Sequence, residues 1–435
     1  MRIRSLAAVS CAVSTALLTA ACGSSSSSSA ATGGASGGTR TLTVWMMDGD
    51  LSTQATNAIN TAFEKATGAR VKVQIQEWAN INTRISTALA QDNPPDVLEI
   101  GNTDVPLFAA TGALADITAQ RSDLSAGQTW LPGLVGPATV DGKVFAAPLF
   151  AGNRAVIYNK TVWAKAGITA PPASFAEFTQ DLNKIKANDT APGFSAMNLP
   201  GRYWYAALQF VWDAGGQLAT KDAGGKWTGQ LESPAAQQGL TAWKSFQNTY
   251  SSVASRNTDN KTPDQAAMFA QGKTATLVDT SINTILKDNP SLQGRLGTFA
   301  FPSVATAGAT QPVFLGGSDL AVAAKSPNQQ LAQAYLKAAT SQTVQTSAIV
   351  GTDHWTPVST QLLDSTQSLL PPTSAAFFDA AKNSVGTPAT PGWATIESDL
   401  SINQFFADIA TGRKSVAQAA KDFDAHLDQA LNAAS

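Results

Sequence analysis

Cysteine and histidine are scarce, two of each in 435 residues. A zinc site is built mainly from those two residue types, so the supply argues against one. Charged residues make up only 14% and the formal net charge is −2, which excludes a globally basic surface for nucleic acid. There is no Walker-type phosphate loop and no dinucleotide fingerprint, so no cofactor is expected. The one match to the hydrolase elbow G-x-S-x-G, Gly34 to Gly38, lies in a Ser/Gly stretch with no strand before it and no helix after it. It is therefore discarded. No apolar stretch of membrane-spanning length follows the first 21 residues.

Those 21 residues read as a secretory signal. Arg2 and Arg4 precede an uncharged run of small and apolar residues, Leu6 to Ala21. Removing it, Cys11 included, leaves 27 basic residues against 31 acidic, a net charge of −4. It also leaves one cysteine, Cys22, so an internal disulfide is excluded. Leu17-Leu18-Thr19-Ala20-Ala21-Cys22 resembles a bacterial lipobox, with Thr19 where a bulky apolar residue is usual. That resemblance implies cleavage before Cys22 and lipidation of its thiol, and two acyl chains are enough for stable anchoring. The alternative is ordinary signal cleavage and a free thiol. Residues 22–40 would then be a lipidated cysteine and a flexible tether. Gly23 to Arg40 is almost wholly Ser, Gly, Ala and Thr, and its 18 residues would span roughly 24 Å root-mean-square.

A folded body starts at Thr41. Leu42, Val44 and Met46 alternate with Thr43 and Trp45, a strand pattern. Ala55, Ile59, Ala62, Phe63 and Ala66 recur at helical spacing and Gly68 closes that helix. Val71, Val73 and Ile75 alternate again. Ile81, Ile85, Ala88 and Leu89 give a second helix, and Val97 to Ile100 a third strand. Residues 41–101 thus read β-α-β-α-β with parallel strands and right-handed crossovers. Further strands are expected at 144–146, 155–158, 274–278 and 319–323. Ser174 with Glu177, Ser326-Pro327, and Ser415 with Gln418 are expected to start helices. The fold class is α/β.

Four ordered segments carry a wider resemblance. They are the opening strand after the Ser-rich tether, and Pro95-Asp96-Val97-Leu98-Glu99-Ile100-Gly101-Asn102-Thr103 with Ala110 to Asp116. Gly142 to Pro148, running to Ile157-Tyr158-Asn159-Lys160, is the third. Gly316-Gly317 to Ala323, then Ser326-Pro327-Asn328, is the fourth. Together they resemble the family 1 extracellular solute-binding proteins of bacterial sugar import systems, whose best-known type binds maltodextrin. The Gly101-Asn102-Thr103 variant is similar to actinobacterial sugar-binding lipoproteins, chito-oligosaccharide binders among them. The resemblance implies a two-lobe periplasmic-binding-protein fold with a hinge between lobes. Lobe 1 would hold 41–152 and 318–368, and lobe 2 would hold 153–317 and 369–435. Crossings are expected near Phe150 to Arg154 and near Phe314 to Ser318, where Gly152, Gly316 and Gly317 suit a hinge or simple turns. The implied partners are a mono- or oligosaccharide, the permease subunits of an ABC importer, and the outer face of the cell membrane through the lipid anchor alone. The chain is expected to work as a monomer without enzymatic activity.

Sugars stack their C–H faces on aromatic rings and bond their hydroxyls to placed donors and acceptors. Of ten tryptophans, Trp163 and Trp243 fall at apolar helical positions and read as core. The family resemblance carries ligand-facing roles to Tyr203 and Trp204, in the polar turn Asn198 to Tyr205, and to Trp393. Packing in the second lobe is the alternative for Trp204. Trp355 follows a loop that can face the cleft. Strand ends are where open α/β sheets bind ligands. They supply Asn102 and the carboxylates of Asp48, Asp104, Asp279 and Asp319, each of which can accept from two hydroxyls. Glu77-Trp78 is a weaker pair of the same kind. Asp104 has helix capping as an alternative. Arg154, at the first crossing, would bridge lobes or touch ligand, and Gly317 lies at the second. The rival readings are a secreted glycosidase using paired carboxylates and a lipoprotein with no small ligand.

Overall fold

The computed structural model describes residues 40–433. The signal, Cys22 and nearly all of the tether lie outside the described residues. Alternation and capping act as the sequence requires over the first hundred residues. Three strands, β1 (Thr41–Met47), β2 (Arg70–Gln76) and β3 (Val97–Gly101), alternate with helices Thr53–Thr67 and Ile81–Ala90. Ser52 Oγ accepts from the Ala55 N–H, and Gly68 ends the first helix in the left-handed region (φ 71°) that a side chain disfavours. A hairpin of β4 (Thr139–Val140) and β5 (Lys143–Val144) leads to β6 (Ala146–Gly152). After Asn153 and Arg154 comes β7 (Ala155–Asn159). A second hairpin, β8 (Ala219–Lys221) and β9 (Trp227–Gly229), precedes β10 (Thr276–Asp279) and β11 (Leu296–Phe299). Then follow β12 (Val313–Phe314), β13 (Gly316–Val322) and β14 (Ser384–Val385).

Eight of these strands build two main sheets, one in each lobe, and the other six pair two by two. The larger has the order β2-β1-β3-β13-β6, parallel among β1, β2 and β3, with β13 antiparallel to β3 and β6. The smaller is β10-β7-β11, antiparallel throughout. β6 and β7 are separated by two residues yet belong to different sheets, so the chain crosses there. It crosses again between β12, which pairs with β14, and β13. Helix Pro372–Lys382 is shared: Phe377 joins the core of the smaller sheet and Phe378 that of the larger.

The second crossing depends on glycine. Gly317 has φ 141°, and a Cβ there would stand 2.2 Å from the Phe150 carbonyl oxygen, so only a residue without a side chain lets β13 lie against β6. Asn102 holds the same crossing through its amide, which donates to the Leu315 (3.1 Å) and Gly133 (3.2 Å) carbonyls.

The second lobe is packed with rings. Trp163 and Trp243 are fully buried. Phe178 meets Phe299 edge-on at 5.2 Å and Phe301 at 5.4 Å, geometry that adds about 0.5–1.5 kcal/mol per pair beyond area burial. Ser174 and Ser415 accept the predicted capping bonds, from the Glu177 and Gln418 N–H groups. Ser326 Oγ accepts the Asn328 N–H at 3.0 Å while its own proton goes to Asp96, and the regular helix begins at Gln329, after Asn328, whose side chain makes no capping bond.

Candidate functional site

The floor of the first lobe is organised around Asp50. Its carboxylate accepts from Trp78 Nε1 and from Ser318 Oγ, both at 3.2 Å, and its carbonyl accepts from Trp355 Nε1 at 2.7 Å. Trp355 in turn stacks on Phe150, 4.7 Å between ring centres. The Trp78 indole is 39% exposed and lies over Gly101, where a Cβ would sit 3.6 Å from it. Under Asp50 is Glu99, fully buried, whose Oε2 accepts the Met47 N–H at 2.8 Å. Asp48, the carboxylate expected here, is exposed instead. β1 ends at Met47, and Gly49 (φ 83°) turns the chain so that the inward acid comes two residues later.

Asp104 is buried and accepts from Asn82 Nδ2 at 2.9 Å; it makes no capping bond, so that alternative falls. Burial pushes its carboxyl up to about 6. Asp319 does not reach the cleft. It lies between Ile100 and Pro148 in the sheet with no exposed surface and no partner for either oxygen, and burial alone drives its carboxyl well above the usual range.

In the second lobe Arg154 Nε donates to the Tyr203 hydroxyl at 2.7 Å, and its guanidinium carbon stands 4.1 Å from the centre of the Tyr205 ring. Burial, countered by Arg154, pushes the Tyr203 phenol up to about 12. Asp279 accepts from Gln265 Nε2 (3.0 Å) and the Thr280 N–H (2.8 Å), and burial raises its carboxyl. Trp204 and Trp393 are buried and pack against each other edge-on at 5.6 Å, with Phe314 5.2 Å from Trp204. Neither indole has a face free for a ligand in this conformation. Packing, the alternative for Trp204, is what the structure displays. The ring that reaches toward the other lobe is the half-buried Tyr205, whose phenol is raised by burial and by the charges of Glu397 and Asp104.

The two lobes are closed on each other at this point. Thr103 Oγ1 donates to Glu397 Oε2 at 2.8 Å, and burial together with Asp104 pushes the Glu397 carboxyl up to about 8. Lys261 acts on Asp50 from the second lobe. Acids, aromatic rings and two cations, Arg154 and Lys261, are thus linked where the lobes touch. A surface hollow of about 450 Å³ between Trp212, Trp227 and Thr387 shares no residue with them.

A profile described as bacterial extracellular solute-binding protein matches residues 49–346. The chain belongs to that family. It is 37% identical over 396 residues to the diacetylchitobiose binding protein DasA of Streptomyces coelicolor, covering 90% of each chain. An ABC transporter solute binding protein of Thermotoga lettingae, solved with α-D-tagatose, has the same fold (TM-score 0.75, 22% identity, 91% of this chain and 100% of that one). So does the GacH receptor of Streptomyces glaucescens, solved unliganded and with acarbose (TM-score 0.75, 22% identity, 90% and 98%).

Asp104, Asp279, Arg154, Trp355 and Tyr203 are buried or half-buried, and Asn102 and Gly317 hold the second crossing. Three residues escaped the sequence reading. Asp50 lies beyond a glycine whose backbone angle no pattern reveals. Tyr205 was in the recognised turn but beside two larger-signal aromatics. Glu397 was legible as the residue four after Trp393, on the same helical face.

Proposed function

We propose that this protein captures a mono- or oligosaccharide between its lobes and delivers it, unchanged, to the permease of an ABC importer. One observation carries the reading: the two lobes meet through Thr103 and Glu397, next to which we place a sugar site built from the Tyr205 ring, the Trp78 indole and the carboxyl groups of Asp50, Asp104, Asp279 and Glu397. Rings supply stacking for sugar C–H faces, and carboxyl groups hydrogen-bond to paired hydroxyls. Trp355, Arg154 and Tyr203 hold these groups in place, with Trp204 and Trp393 packed behind them. The name of the relative DasA supports a chitobiose-like ligand. We place the lobes at 41–152 with 318–368 and at 153–317 with 369–435, hinged at Gly317. We also place the protein on the outer face of the cell membrane as a monomer, anchored through lipidated Cys22.

The test is a thermal-shift panel of mono- and oligosaccharides, because a ligand that binds only the folded state raises its midpoint. The N-acetylated disaccharide of chitin is expected to raise it and to be recovered intact. No shift with any saccharide overturns the reading. Recovery of cleaved sugar would favour the glycosidase instead.

A further inference from the structure

Glu99 is an acid with no evident reason to be where it is. It has no exposed surface, and its Oε1 has no hydrogen-bond donor. Oε2 takes the Met47 N–H. The groups around it leave no cation to balance a charge. Asp50 approaches from the loop after β1, near enough that each carboxyl group acts on the other, and Ser318, which bonds Asp50, stands on the strand paired beside Glu99. Tyr335, from helix Gln329–Thr340, directs its hydroxyl proton to Asn60. Ser318 on β13 directs its single proton to Asp50. Lys261 faces Asp50 from the second lobe and is exposed.

Two carboxylates cannot hydrogen-bond each other when both are ionised, since neither has a proton to donate. One proton between them turns that repulsion into an O–H···O⁻ bond, the strong charge-assisted kind. The surroundings decide which acid holds it. Asp50 is half-buried and already accepts from Trp78 and Ser318, so its anion is solvated by donors. Glu99 is fully buried with a single backbone donor.

We infer that Glu99 is a positioning residue: it is kept as a neutral acid under the cleft, donates its proton to Asp50, and fixes the orientation in which the Asp50 carboxylate meets a ligand. Burial and the Asp50 charge raise the Glu99 carboxyl well above its ordinary value, in agreement. The Asp50 carboxylate is then held by three donors, Trp78 Nε1, Ser318 Oγ and Glu99, which leaves its remaining lone pairs aimed at the cleft. The ligand part of this inference rests on the sugar reading above; the proton does not.

Two measurements test it. In the folded chain labelled at glutamate side-chain carboxyl carbons, two resonances are expected in the protonated range at neutral pH, one that vanishes in Glu397→Gln and one, the test of this inference, that vanishes in Glu99→Gln. In calorimetric titration with the N-acetylated chitin disaccharide, Glu99→Gln keeps a donor of the same shape and is expected to bind like the parent protein. Glu99→Met keeps only the shape and is expected to lose about tenfold or more in affinity. A Glu99 resonance that titrates with the surface glutamates overturns the inference. So does Glu99→Gln binding as poorly as Glu99→Met. If Glu99→Met does not fold, the resonance and the Glu99→Gln titration decide. A parent protein that binds no saccharide sinks the sugar reading, and the resonance still decides where the proton is.

Discussion

Thr103 and Glu397, which face each other across the cleft, share a hydrogen bond of 2.8 Å. The same closure brings Glu397 toward Asp104, and both carboxyls are raised, to about 8 and about 6. Their folded values lie above their ordinary ones, so the closed state binds protons that an open, hydrated cleft releases. Stability of the empty closed form is therefore fully present below the ordinary carboxylate range. It is lost as pH rises through about 6 for Asp104 and about 8 for Glu397. Small-angle scattering of the unliganded protein should give a larger radius of gyration at about pH 9 than in mildly acid solution. In Glu397→Gln the upper part of that change should disappear. A radius independent of pH would mean that this pair does not govern closure.

Tyr205 and Trp393 separate affinity from stability. Tyr205 is half-buried at the cleft, whereas Trp393 is fully buried in the second lobe's core. Tyr205→Ala should weaken sugar binding about tenfold, the scale of one lost stacking partner with its buried area. Trp393→Ala should cost about 3–5 kcal/mol of stability, as for other large aromatic truncations in a core. Calorimetric titration and denaturant melts read the two effects. If Trp393→Ala lost affinity with an unchanged melt, the roles given to the two residues would be exchanged.

The architecture was legible because its signals are local. Alternation gave β1, β2 and β3, and Gly68, Ser174 and Ser415 mark helix ends where the structure has them. Long-range partners were not legible in this way: Ser326 accepts the local Asn328 N–H, but that its proton goes to Asp96, 230 residues away in sequence, no local pattern shows. The site followed the same division. Strand ends pointed to Asp104 and Asp279, and both carboxyl groups turn inward onto polar partners, Asn82 and Gln265. The choice of Asp48 over Asp50 turned on the φ of Gly49, which composition does not encode. Trp204 and Trp393 carried the expected chemistry, but packing them edge-on uses both rings. Buried acids such as Glu99 and Asp319 could not be recognised, because burial is a property of the assembled sheet.

Gly317 and Gly152 make a matched pair of hinge tests. A Cβ at Gly317 would meet the Phe150 carbonyl at 2.2 Å with φ at 141°, whereas one at Gly152 would find nothing nearer than 3.7 Å. Gly317→Ala should lower stability by about 1–3 kcal/mol through backbone strain alone, and more if β6 must move. Gly152→Ala should melt close to the parent protein. Equal melting points for the two variants would show that the second crossing tolerates a side chain.

Trp78 should report the ligand. Among the described residues it is the exposed indole, at 39%, and its Nε1–H bonds Asp50 at 3.2 Å, which fixes the ring beside that carboxylate. A sugar covering its free face would replace water with C–H groups and shift its emission to shorter wavelength, while buried indoles such as Trp163, Trp243 and Trp393 keep their surroundings. Trp78→Phe should therefore remove most of the emission change on binding. Phe retains a ring but loses the bond to Asp50, so affinity should fall by a few-fold rather than vanish. An emission change of full amplitude in Trp78→Phe would place the stacking surface elsewhere, with Trp355, whose Nε1 is also held by Asp50, as the next indole to replace.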